Sequence, residues 1–101
     1  MIVYNVTIKV DHSIERDWLT WMKEEHIPDV TATGCFTHAV MFHLFEADDT
    51  DGLTYAIQYH TNDQSLYKLY IDKFADEMRK KVTERWGNKF VAFRTVMKVV
   101  N

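Results

Sequence analysis

The chain has one cysteine, one proline and three glycines in 101 residues. Each scarcity excludes something. A lone Cys35 cannot form an intramolecular disulfide or a thiolate metal cluster, which fits a reducing, cytoplasmic setting. So little Gly and Pro leaves no room for a linker or a disordered tract, so residues 1–101 are read as a single domain. Positive charge is short as well: 12 Lys and Arg against 15 Asp and Glu give a net charge of -3. That balance argues against nucleic acid as a partner, because binding phosphate needs a basic footprint. No apolar run approaches the length of a membrane span, and the first residues, MIVYNVTIKV, do not read as a signal peptide. A membrane is therefore not an expected partner.

The chain does have clear periodicity, and aromatics at 14%. Residues 2–10 alternate, with Ile2, Tyr4, Val6, Ile8 and Val10 on one side and Val3, Asn5, Thr7 and Lys9 on the other, which predicts a half-buried strand. Ser13 is the expected N-cap of a helix over 14–26, whose stripe is Ile14, Trp18, Trp21 and Met22. Pro28 implies either a kink or the start of a short turn over 28–33, which Gly34 closes. A second strand is expected over 35–46, apolar at both parities and so ambiguous in register. A third is expected over 53–61 beyond an acidic hairpin loop. Asn62 or Asp63 caps a helix over 64–86 in which Leu66, Tyr70, Phe74, Met78 and Val82 recur every four residues. That ridge drifts around a straight helix and so implies a bend. Gly87-Asn88 ends the helix, and a last strand covers 89–100.

The order strand–helix–strand–strand–helix–strand predicts an α+β, ferredoxin-like βαββαβ fold. Its four-stranded antiparallel sheet carries both helices on one face, where right-handed crossovers place them. The other face is left open. Sequence parity assigns to it Asn5, Thr7, Thr54, Ala56, Gln58, His60, Ala92 and Arg94, with Val3, Phe90 and Val96 among them. A surface of this mixed character suits a homodimer of the dimeric α/β-barrel type, two open faces enclosing a cavity.

The helix segment Trp21-Met22-Lys23-Glu24-Glu25-His26-Ile27-Pro28 resembles the aromatic–basic–Glu-Glu-His-x-Pro signature of EthD-like dimeric α/β-barrel proteins. Over nearly its full length the chain is also similar to a domain-of-unknown-function family of short bacterial proteins. That likeness rests on MIVYNVT, the segment from Trp18 to Val30, A-T-G-x-F and G-N-K-F-V-A-F-R-T. The resemblance implies the fold and a position near a cavity for His26. It supplies no activity, since the superfamily holds cofactor-free oxygenases, isomerases, haem enzymes and members with no known reaction.

His26 is the candidate catalytic residue: helical spacing sets it beside Met22 on the buried stripe, where burial would tune it as a general base. The competing reading is a histidine near a helix C-terminus, held by the dipole and a carbonyl. Asn5, Gln58, His60 and Arg94 are candidate binding residues on the open face, with Arg94 suited to a carboxylate. They read equally well as interface contacts. No metal site is expected, because the five histidines lack ligand spacing and the loop Asp48-Asp49-Thr50-Asp51-Gly52 lacks the first and last acids of a calcium loop. No cofactor motif occurs, while haem, needing one axial histidine, stays open. RNA binding through the sheet lacks its aromatic platform, as Thr54 and Ala56 stand there. Two functions remain. One is a homodimer that binds a small organic ligand, with cofactor-free proton-transfer or oxygenation chemistry. The other is a non-catalytic dimerisation or protein-interaction module.

Overall fold

The structure, a computed structural model, describes residues 1–101. Strands β1 (Ile2–Asp11), β2 (His38–His43), β3 (Gly52–Thr61) and β4 (Phe90–Lys98) form one sheet in the order β2-β3-β1-β4, with every adjacent pair antiparallel. The sheet is ferredoxin-like, as the periodicity implies. The β1-to-β2 connection passes over β3 and carries the first helical layer. The β3-to-β4 connection passes over β1 and carries the second.

The first helical layer is continuous but not uniform. Helix α1 (Glu15–Trp21) runs into a π-helical turn, Met22–His26, and then into α2 (Ile27–Ala32). At the junction the Ile27 N–H reaches the Met22 carbonyl, one residue further back than in an α-helix. The wide turn lies immediately before Pro28, which has no N–H to give, so the ladder changes register where a donor is missing anyway. Pro28 therefore neither breaks nor ends the helix. Ser13 does not cap it: Ile14 holds the N-cap position, while the Ser13 backbone N–H and Oγ donate to Asp11 Oδ1 at 2.8 and 2.6 Å. Gly34, at φ +79°, follows α2 in the left-handed conformation that suits glycine, and its N–H donates to the Thr31 carbonyl.

Asp63 caps α3 (Gln64–Lys73) through Oδ1, which accepts from the Ser65 N–H at 2.8 Å. The expected bend falls at Phe74, whose φ of -123° separates α3 from α4 (Ala75–Trp86). Of the four-residue ridge, Tyr70, Met78 and Val82 are buried against the sheet. On the outer side of α4, Lys80 meets Glu84 one turn on and Lys81 meets Asp29 of α2, each at 3.9 Å.

The core lies between sheet and helices, with Tyr4, Val6, Ile8, Val10, Ile57 and Tyr59 on the sheet side and Trp18, Met22, Tyr70 and Trp86 on the helix side. Phe36 is in it too, stacked on Tyr4 at 6.0 Å and edge-on to Tyr70 at 5.0 Å. It sits before β2 begins, because this strand is shorter than the 35–46 expected from its apolar run. Register settles the ambiguity of β2. Val40 opposes Gln58 and Phe42 opposes Ala56 on the open face, while Ala39 and Met41 oppose Tyr59 and Ile57 on the helix face.

The last strand is inverted relative to the parity reading. Val6 pairs with Arg94, Ile8 with Ala92 and Val10 with Phe90, and directly opposed residues share a face. Phe90, Ala92, Arg94 and Val96 therefore point toward the helices, and Val91, Phe93 and Met97 point to the open face. The parity argument sent the charged residue away from the core. But β4 is an edge strand that the helices do not cover fully, so Arg94 stays exposed while pointing the same way as Val6.

Candidate functional site

Between the sheet and the helices lies a narrow cavity of about 30 Å³. Val6 and Ile57 form its floor, and Met22 and Val82 lie opposite. Six polar side chains join this apolar wall: His26, Tyr4, Tyr59, Tyr70, Arg79 and Arg94. The π-helical turn supplies His26, the bent second helical layer supplies Tyr70 and Arg79, and the sheet supplies the other three. No carboxylate or thiol lines the cavity.

His26 is 8% exposed. Its ring stacks on Trp21 at 4.9 Å between centroids, and Trp21 in turn meets the edge of Trp86 at 5.8 Å. Burial lowers its pKa to about 4, partly countered by Asp29 and reinforced by Lys81 and Arg94. The imidazole is thus neutral at neutral pH. Nδ1 is enclosed without any hydrogen-bond partner. The reading of His26 as a carbonyl-bonded residue near a helix end does not fit, since the helix continues to Ala32 and Nδ1 has no acceptor.

Two of the three tyrosines hold their protons firmly. Burial pushes the Tyr59 and Tyr70 phenols above their ordinary range, with nearby tyrosines adding to the effect, so both hydroxyls remain donors. Arg79 Nη2 donates to the Tyr4 hydroxyl at 3.2 Å, and Arg79 Nε is enclosed with no acceptor. Neither Arg79 nor Arg94 has a carboxylate within ion-pair distance; the three ion pairs in the protein involve other residues. Both guanidiniums act on Tyr70, so their charges converge on one region.

Of the candidates read from sequence, the fold brings only His26 and Arg94 together. Asn5, Gln58 and His60 lie on the opposite, open face, separated from His26 by the thickness of the sheet. There Asn5 is buried, with Nδ2 donating to Thr7 Oγ1 at 3.0 Å and Oδ1 unpartnered. His60 stacks on His38 at 4.5 Å with the rings 7° apart, and partial burial followed by the His38 charge holds its pKa below the ordinary value. These residues sit among exposed apolar side chains: Phe42 is 46% exposed, Phe93 62% and Val91 70%.

Sequence reasoning missed Arg79 and the three tyrosine hydroxyls. Alternation and the four-residue ridge place the tyrosine rings in the core. No spacing rule tells that their hydroxyls and Arg79, adjacent to ridge residue Met78, converge on one gap. In the acidic loop, the Asp48 carboxylate accepts from the Thr50 N–H and hydroxyl at 3.0 and 2.6 Å and so closes its own turn.

A family model described as Domain of unknown function (DUF4286) matches residues 1–100. No curated protein matches the chain at a significant level. Solved structures similar in fold include a dimeric ferredoxin-like protein from an uncultured marine organism, with TM-score 0.71, 12% identity, and 99% of this chain and 95% of that chain covered. An ethyl tert-butyl ether d (EthD) family protein from Bacillus halodurans has TM-score 0.67, 9% identity and coverage of 99% and 100%. SnoaB from Streptomyces nogalater, a cofactor-independent oxygenase, has TM-score 0.66, 10% identity and coverage of 99% and 94%. At these identities the likeness is one of fold. No helix of the chain is long and apolar enough to cross a membrane.

Proposed function

We propose that this chain, which belongs to the DUF4286 family of unknown function, binds a small organic molecule in the cavity between sheet and helices and moves a proton on it, with His26 as general base. One observation carries the reading. A buried imidazole, kept neutral by desolvation and with no structural hydrogen bond at Nδ1, lies on a gap flanked by two guanidiniums and three phenols. Burial of a polar group without a partner costs stability and is retained most readily where it serves a ligand.

The step is the removal of a proton from carbon beside a carbonyl. A His26 nitrogen takes the proton, the C–H electron pair becomes the enolate π bond, and the carbonyl oxygen gains negative charge. The arginines and tyrosine hydroxyls on the same cavity would neutralise that oxygen. Returning the proton to a different carbon completes an isomerisation. Adding dioxygen to the same carbon, with the proton passing to the peroxide, completes an oxygenation. Neither outcome needs a bound cofactor, and the cofactor-independent oxygenase of similar fold is in keeping with the second.

The open face supports the expected homodimer. The inversion of β4 makes this face more apolar than the sequence suggested, adding Val91, Phe93 and Met97 to Val40 and Phe42. A fold neighbour is itself described as dimeric. The same face is the support for the rival reading, a non-catalytic dimerisation or interaction module. The two readings separate on the cavity. Acetoacetate and acetoacetamide, small enolisable compounds that need the gap of about 30 Å³ to widen around them, are titrated while the His26 imidazole is followed by NMR. Exchange of their methylene protons in deuterium oxide is then compared between the wild type and His26→Leu. Perturbed His26 resonances, with exchange faster for the wild type, support the base. An undisturbed His26 and equal exchange rates would leave only the interaction module.

A further inference from the structure

We infer that His12 is a pH-operated clasp on the hairpin loop between β2 and β3: its imidazolium ties the loop to the first turn of α1, and loss of the proton releases it. The inference stands apart from the cavity and uses none of its residues. Its basis is the pair of groups that the ring touches. His12 follows β1, and its Nε2 lies 2.9 Å from the Asp49 carbonyl oxygen. Its Nδ1 lies 3.3 Å from Glu15 Oε2. A carbonyl and an ionised carboxylate are acceptors only, whereas a neutral imidazole has one N–H to give. Whichever tautomer the neutral ring adopts, a bare lone pair faces one of these oxygens. The imidazolium, a donor at both nitrogens, satisfies the two contacts together.

The surroundings favour that proton. Glu15 Oε2 is enclosed, and His12 is the one cation that meets it. The carboxylates of Asp49 on the loop and Asp11 at the end of β1 also act on the ring. The nearby cations act on other carboxylates, Lys9 on Asp48 and Lys89 on Asp11. The His12 pKa is raised above the ordinary 6.5, by the Asp49 carbonyl first, with Glu15 adding to it against desolvation. A group whose pKa rises on folding stabilises the folded form fully below 6.5, and that contribution is lost as pH climbs through the folded value. The clasp is therefore closed in mild acid and opens toward alkaline pH.

The loop has little else to hold it. Its other hydrogen bonds are local: the Ala47 N–H donates to the Leu44 carbonyl, and the Thr50 N–H and hydroxyl donate to Asp48. It carries Glu46, Asp48, Asp49 and Asp51, whose mutual repulsion opposes a compact loop. It also carries Leu44 and Phe45, the latter 80% exposed. The Leu44 N–H donates to the Thr54 carbonyl, so Leu44 continues the line of β2 on the open face beside Phe42. Release of the loop changes how an apolar tip is presented at the rim of that face.

The test follows the histidine ring signals and the backbone heteronuclear NOE of residues 45–51 by NMR, from about pH 5.5 to about pH 8.5. His12 should titrate above 6.5, and the loop NOE should drop across that same titration. In Glu15→Gln the His12 pKa should fall toward 6.5, and the loop transition should move with it. In His12→Ala the loop should show the low NOE throughout the range, with circular dichroism unchanged. A His12 pKa at or below 6.5 would overturn the inference, as would a loop NOE that stays constant through the His12 titration. A pH response that persists in His12→Ala belongs to another imidazole, such as His43 beside Tyr55, and also overturns it. The wild-type titration needs no variant, so a substitution that fails to fold leaves the inference open to refutation.

Discussion

Replacing His26 by leucine tests whether its burial is structural or held for a ligand, and pH separates the two. A buried imidazole with a pKa near 4 is neutral in the folded chain, while in the unfolded chain it titrates near 6.5. Between those values the unfolded state binds more protons than the folded one, so stability falls as pH drops from 6.5 toward 4 and is flat above 6.5. At about pH 4.5 the linkage relation gives a loss of roughly 2.5 kcal/mol from this single group. His26→Leu removes the titration and fills similar space. It also removes an enclosed Nδ1 that no group satisfies. At about pH 7.5 the variant should therefore be as stable as the wild type or slightly more so, since exchanging an unsatisfied polar group for an apolar one of similar shape is close to neutral. Urea denaturation followed by tryptophan fluorescence, at several pH values between about 4.5 and 7.5, measures both. The two curves should diverge toward acid, with the wild type losing about 2.5 kcal/mol more. Parallel curves would mean that water reaches the imidazole, and a variant weakened by more than about 1 kcal/mol at neutral pH would mean that it makes a structural hydrogen bond after all. Either result would refute the base assignment.

Light scattering should give about twice the 12.0 kDa of one chain, and Phe93→Glu, which puts a charge on the open face, should return a folded monomer. A dimer that survives Phe93→Glu would place the interface elsewhere. Phe36→Ala should cost about 3–5 kcal/mol, because the ring packs against Tyr4, Tyr59 and Tyr70 at the centre of the core; a urea midpoint close to that of the wild type would contradict this. Gly52→Ala should cost about 1–3 kcal/mol, since its new methyl would collide with the Val10 carbonyl across the β1–β3 ladder; thermal melting checks it. A low-salt gel shift with single-stranded RNA should show no binding, given the net charge of -3.

Element order, approximate helix positions, a bend within 64–86, a cap at Asn62 or Asp63 and the glycine stops at Gly34 and Gly87 were legible in the sequence, because each rests on a local rule of period or backbone conformation. Alternation misassigned the faces of the edge strand β4 and left those of the other edge strand, β2, open, and the expected Ser13 cap did not form. Strands β1 and β3 are central, with a more polar and a more apolar side, so alternation assigns their faces correctly. In β4 both sides are apolar, so parity alone put Arg94, the charge in its middle, on the outside. At an edge that criterion fails, for a long side chain can point toward the helical layer and still reach water past its rim. Strand β2 has the same two-sidedness, and only its pairing with β3 shows which of Phe42 and Met41 faces in.

That single inversion rearranged the candidate site. With Arg94 on the open face, His26 stood alone among apolar neighbours and the polar candidates belonged to the dimer interior. With Arg94 under the helices, it shares a cavity with His26, and Arg79 completes the pair of cations. The open face, relieved of its one guanidinium, gains Phe93 and Val91 and keeps His38, His60, Gln58 and the buried Asn5 as a polar minority. Each face then has one consistent character. The helix side gathers two guanidiniums beside His26, as the proposed ligand site requires. The open side concentrates exposed apolar area around stacked imidazoles, as the proposed dimer requires. His60, stacked on His38 at 4.5 Å, also resists protonation, through partial burial first and the His38 charge second. Covering it with a second copy would raise the cost of charging it further. The dimer should therefore weaken as pH falls below about 6, in the unprotonated-to-protonated range of ordinary histidines. His60→Gln, which leaves a single imidazole on that surface, should lessen the dependence. Sedimentation at pH values on either side of about 6 decides it, and a dimer equally stable at both would remove the pair from the interface.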